Sequence, residues 1–106
     1  MKWDIELNPR AELRIKFTEE ETIEYGVKPL GGTGVESRGK VTVGEQSSHI
    51  YVVDIYDDNL PESGELRVGL EPADVKVKTN NSLTWKNNGS SKVRLYSLPK
   101  VPKVIA

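Results

Sequence analysis

A chain of 106 residues, 36% hydrophobic and 29% charged, reads as one domain, 1–106, large enough for a single core and too small for a separate catalytic domain. A net charge of −1 and a pI near 5.9 weigh against a strongly basic nucleic-acid binder. The absence of cysteine excludes a disulfide framework and a thiolate metal site, so packing must hold the fold.

Trp3, Ile5 and Leu7 alternate with Lys2, Asp4 and Glu6, which predicts a first strand ending at Asn8-Pro9. Leu13, Ile15 and Phe17 alternate with Glu12, Arg14 and Lys16 to predict a second. Glu19-Glu20-Glu21 reads as a solvated acidic turn, because adjacent carboxylates in a turn point apart and do not converge on one substrate atom. Ile23, Tyr25 and Val27 then return to period two as a third strand.

Residues 28–40, KPLGGTGVESRGK, are expected to form a long flexible glycine-rich loop. The loop lacks the Gly-Lys-Ser/Thr ending of a phosphate loop, so its expected role is a contact arm involving Gly31, Gly32, Gly34 and Arg38. Val41 and Val43 predict a short strand. Residues 49–56, HIYVVDIY, are apolar on both faces, which predicts a central strand whose second face is covered by other chain segments or by another subunit. The loop 57–64 is rich in oxygen-bearing side chains but does not match the calcium-loop spacing, and no metal or cofactor is expected.

The stretch 65–98 is the most legible. Turns at Glu71-Pro72-Ala73-Asp74, Thr79-Asn80-Asn81 and Asn87-Asn88-Gly89-Ser90-Ser91 are suited to tight reversals, and folding back at each of them sets Val68 opposite Val77, Val77 opposite Leu83, and Trp85 opposite Val93. This predicts a four-strand meander with one apolar face. Its other face would carry Arg67, Lys76, Lys78, Lys86, Lys92, Arg94 and Tyr96 as a basic surface. The two prolines of the tail, 99–106, exclude an interior strand, so the tail should be extended, with Val101, Val104 and Ile105 able to add to a neighbour's sheet edge. The whole reads as an all-β antiparallel sandwich, jelly-roll-like or immunoglobulin-like, of about nine short strands.

Charge is unevenly spread along the chain. Residues 73–106 hold seven Lys/Arg against one acid, a net of +6, and residues 1–72 hold eight against fifteen, a net of −7. A charge dipole is the expectation, favouring salt-sensitive contacts. The only histidine, His49, has no triad or ligand spacing around it, so no catalysis is expected.

Three non-enzymatic functions suit these residues. A short, Cys-free, all-β chain with a flexible arm and an extended tail resembles the small decoration and tail-assembly proteins of tailed phages and archaeal viruses. The resemblance implies a structural module of a virion, a homo-oligomer or a coat on a larger particle. The alternatives are binding of an anionic polymer such as nucleic acid through the basic face, or of carbohydrate on Trp3, Trp85, Tyr25, Tyr51, Tyr56 or Tyr96, although both tryptophans fall on apolar stripes. No signal peptide or spanning segment is read in the chain, which is expected to be soluble and, outside a virion, cytoplasmic.

Overall fold

Period-two alternation turns every second side chain inward, and a strand so patterned must cover that face with another sheet. The computed structural model describes residues 2–31, 34–60 and 62–99. It contains the strands β1 (Asp4–Leu7), β2 (Glu12–Lys16), β3 (Glu21–Pro29), β4 (Ser37–Gly44), β5 (Val52–Asp57), β6 (Val68–Glu71), β7 (Asp74–Lys78), β8 (Ser82–Asn87) and β9 (Val93–Ser97). Two sheets result, one of order β1-β9-β3-β4-β7 and one of order β2-β8-β5-β6. Among the described residues there is no helix long and apolar enough to cross a membrane.

One core lies between the sheets. Val27, Val41, Val77 and Leu95 from the five-stranded sheet meet Val53, Ile55, Leu83 and Trp85 from the four-stranded one, all fully or almost fully buried. Trp85 is the hub of an aromatic cluster, with ring centroids 5.3 Å from Tyr25, 5.5 Å from Trp3 and 6.4 Å from Phe17. The edge-to-face arrangement with Tyr25 and Phe17 is the one that aromatic quadrupoles favour.

The meander expected over 65–98 does not form. Its four strands are present and their inward residues are the expected ones, but they alternate between sheets: β6 and β8 in the four-stranded sheet, β7 and β9 in the five-stranded one. No two consecutive strands of the stretch are hydrogen-bonded neighbours. Alternation specifies the face a side chain takes and says nothing of the strand beside it. A turn that spans the gap of about 10 Å between sheets satisfies it as well as a hairpin does.

Only the β3–β4 and β5–β6 connections join neighbours within one sheet. The others are arches between sheets. The β4–β5 and β7–β8 arches stack in the same direction, which is why β4 pairs with β7 and β5 with β8 in parallel, with Lys40 beside Asp74 and Val52 beside Thr84.

The flexible loop expected at 28–40 is strand at both ends, because β3 runs to Pro29 and β4 begins at Ser37. Gly39 serves close packing there instead of mobility. It is buried beneath the Tyr25 ring. Of the residues expected in a contact arm, Gly31 is exposed, Gly34 makes an isolated bridge to Leu66, and Arg38 belongs to β4; Gly32 lies outside the described residues. Val101, Val104 and Ile105 of the tail also lie outside them.

Candidate functional site

The strand apolar on both faces, β5, lies inside its sheet between β8 and β6, as its composition requires. Its inward residues Val53 and Ile55 are fully buried. Its other side is not covered by the described chain: Val52 is 50% exposed and Tyr56 more than a third, and in the segment leading into the strand Tyr51 is 49% and Ile50 more than a third exposed. A run of exposed apolar residues at the start of an interior strand costs solubility and is retained where a surface is used.

The local structure explains why this run is presented. Ser48 closes the free edge of β7: its N–H donates to the Lys76 carbonyl (3.0 Å) and its hydroxyl accepts from the Lys76 N–H (2.9 Å). Ser47 accepts from the His49 N–H (3.0 Å), and His49 takes a left-handed backbone, φ 58°. The arch is thus tied down at Ser47 and Ser48 and turned at His49. Tyr51 is caught again by β8, its carbonyl accepting from Thr84 N–H (2.9 Å).

Beside Tyr51 and Val52 lies an open groove of about 450 Å³ completed by Arg14, Asn81, Ser82 and Thr84. Register places Arg14, Thr84 and Val52 in one row across β2, β8 and β5, and Glu12, Lys86, Asp54 and Glu71 in the next row, which extends to β6. Tyr56 lies one row further, its ring covering Gly69 directly opposite on β6.

The expected basic surface is divided. Lys76, Lys78, Arg94 and Tyr96 lie on β7 and β9 of the five-stranded sheet, with Lys92 just before β9, whereas Lys86 lies on β8 and Arg67 just before β6 in the other sheet. Most of these cations meet acids: Arg94 with Asp4 (2.6 Å), Lys92 with Glu6 (2.9 Å), Lys86 with Glu12 (3.9 Å) and Arg67 with Asp58 (3.1 Å). The charge separated along the chain is thus partly brought together in space among the described residues. Because β1 pairs with β9 and β2 with β8, the acidic first half is brought against the cationic second half.

Across the five-stranded sheet these pairs extend into a chain of contacts. Arg94 donates two hydrogen bonds to Asp4 (2.8 and 2.6 Å) and its guanidinium stands 4.6 Å from the centre of the Tyr96 ring. The Tyr96 hydroxyl donates to Glu36, which also pairs with Arg38 at 2.6 Å. The Arg94 hydrogen bonds hold the Asp4 carboxyl below its ordinary range, and those from Tyr96 and Arg38 do the same for Glu36. Burial, reinforced by Glu36, pushes the Tyr96 phenol up to about 12.

Of the aromatic platforms considered for carbohydrate, Trp85 and Tyr25 are fully buried, Trp3 is partly buried in the same cluster and Tyr96 is engaged with Arg94 and Glu36; Tyr51 and Tyr56 are exposed. Among the described residues there is no group of three or more His, Cys, Asp or Glu able to hold a metal ion.

Asn87 escaped the sequence reading, which placed it in a turn. It is the one buried polar residue among those described. Its amide donates to the Leu7 carbonyl (3.1 Å) and the Ser91 carbonyl (2.9 Å), and its oxygen accepts from the Gly89 N–H (3.0 Å). Its inward position in the Leu83, Trp85, Asn87 alternation was the available signal.

Compared with known protein families, curated proteins and solved structures, the chain matches none.

Proposed function

We propose that the chain is a non-catalytic assembly module that self-associates or coats a larger particle, and that its contact surface is the outer face of β5. The observation that carries this reading is the exposure of Val52 on a strand inside its sheet, together with Ile50 and Tyr51 in the segment that leads into it. Burying the exposed half of Val52 against a partner contributes roughly 1 kcal/mol, and Tyr51 adds a large, stiff aromatic contact of the kind that anchors interfaces. A virion is the particle suggested by the likeness to phage and archaeal-virus decoration and tail proteins, a likeness of general design. The charge separation along the chain no longer supports the reading, since cross-strand ion pairs neutralise much of it.

Val52→Lys tests this. The substitution lies on an exposed side chain, so the variant should keep the wild-type thermal midpoint while losing the self-association expected of the wild type, read by native mass spectrometry, or co-sedimentation with the particle from its source. A wild-type chain that stays monomeric from low to high salt and co-sediments with no particle overturns the reading.

A further inference from the structure

We infer that the outer face of the four-stranded sheet is self-complementary and pairs with the same face of a second copy about a two-fold axis. This rests on the assembly reading above and specifies its partner. Charge of opposite sign is laid out on either side of Val52.

At one corner of the face stand Arg14 and Lys16 on the edge strand β2, both exposed. Among the described residues, Arg14 makes no ion pair. Diagonally across stands Glu71 on the opposite edge strand β6, with Asp54 beside it on β5. Three strand spacings of about 4.8 Å put Arg14 and Glu71 roughly 14 Å apart across the sheet, offset by one row along it. Val52 and Lys86 lie between them.

A two-fold axis in the plane of contact, passing beside Val52 and running across the diagonal from Arg14 to Glu71, sets Val52 of one copy on Val52 of the other. It also sets each Arg14 against the other copy's Glu71. Opposite charges at the two ends of a diagonal with an apolar residue at the axis make a self-complementary patch, as an isologous contact requires. Lys86, which falls near the axis, is already neutralised by Glu12 of its own chain (3.9 Å). Asp54 swings toward the cationic corner of the partner. The Tyr51 groove lies on the axis side of Arg14 and closes with the contact.

The alternative of a foreign partner requires no such symmetry of charge. A face built for a uniformly acidic or basic partner would carry one sign at both ends.

Charge reversal in two chains separates these possibilities by sedimentation at low salt. Wild type should associate. Arg14→Glu should weaken association by more than about tenfold, since like charges then meet twice in each pair, and Glu71→Arg should do the same. An equimolar mixture of the two variants should recover the complex, because both contacts become attractive again. If wild type associates and Arg14→Glu has no effect, the face-to-face pairing is overturned while the assembly reading stands. If wild type is monomeric at about 1 mM, the inference is overturned as well. The face then belongs to a different partner if Val52→Lys abolishes particle binding, and the assembly reading itself fails if there is no particle binding to lose.

Discussion

Tyr25 on β3 lies directly opposite Gly39 on β4, and its ring fills the space that a side chain at Gly39 would need. Tyr96 stands in the same relation to Gly26, and Tyr56 to Gly69. Three cross-strand Tyr–Gly pairs are a repeated device here: the glycine removes a clash and the ring restores the packing the glycine lacks.

Two of these pairs should respond differently to a methyl group. At Gly39 a Cβ would stand 2.4 Å from the Ala73 carbonyl oxygen and 2.4 Å from the fully buried Tyr25 ring, whose hydroxyl donates to that same carbonyl (3.2 Å). Neither can move without disturbing β7, so Gly39→Ala should destabilise by about 3 kcal/mol in urea unfolding. At Gly69 the obstacle is the far end of the exposed Tyr56, which can swing into solvent; Gly69→Ala should cost less than about 1 kcal/mol. Equal losses at the two positions would show that the Tyr25 ring is not fixed in place.

Asn87 is the second sensitive position. Asn87→Ala strands the Leu7 and Ser91 carbonyls and the Gly89 N–H, and should cost about 3 kcal/mol. Asn87→Asp keeps the shape but turns a carboxylate toward two carbonyl oxygens. That variant should be least stable at neutral pH and should regain stability toward pH 4, where protonation removes the buried charge. Chemical denaturation at the two pH values checks the sign.

Acid should weaken the outer face of the five-stranded sheet. Asp4 and Glu36 are held below their ordinary values of 3.8 and 4.5 in the folded protein, Asp4 chiefly by the Arg94 hydrogen bonds and Glu36 chiefly by Tyr96. Their contribution is present above the ordinary carboxylate range and is lost as pH falls through the lowered folded values. Removing Arg94 or the Tyr96 hydroxyl should therefore flatten the acid limb of the melting temperature against pH. An acid limb unchanged in Arg94→Ala and Tyr96→Phe would show that these contacts do not persist in solution.

The alkaline limb should report on two tyrosines. Burial is the leading cause that pushes the phenols of Tyr25 and Tyr96 up to about 12, against an ordinary value of 10.0. Below pH 10 both keep their protons whether the chain is folded or not. Between 10 and about 12 the unfolded chain ionises first, so stability is lost over that window. Tyrosinate absorbance should show two late-titrating groups in the native protein and one in Tyr96→Phe.

Much of the interior was legible from residue order. Val77 and Trp85 are buried, and Lys76 and Arg94 are exposed, as their alternation required. The two-sided character of 49–56 marked a strand inside its sheet, although the strand begins only at Val52, and its uncovered side is the candidate site. Less legible was the neighbourhood of each strand. The basic residues Lys86 and Arg94 share an outward direction in the alternation, yet lie on different sheets, each opposite an acid from the first half of the chain. Gly39 falls inside the glycine-rich stretch expected to be a loop, because a glycine's lack of side chain looks the same in a loop and under an aromatic ring.

The direction in which each side chain points is a local property, set by the two-residue repeat of the extended backbone, and so it could be read from Trp3 to Leu95 without a structure. Which strand lies beside which is not local. A short turn after Asn87 serves a hairpin or an arch equally well, and the choice falls to whichever packing closes a single core around Trp85 while bringing β1 to β9 and β2 to β8. The arches that result leave β5 bare on one side, and that exposure, which no alternation pattern records, is the feature from which a function is argued.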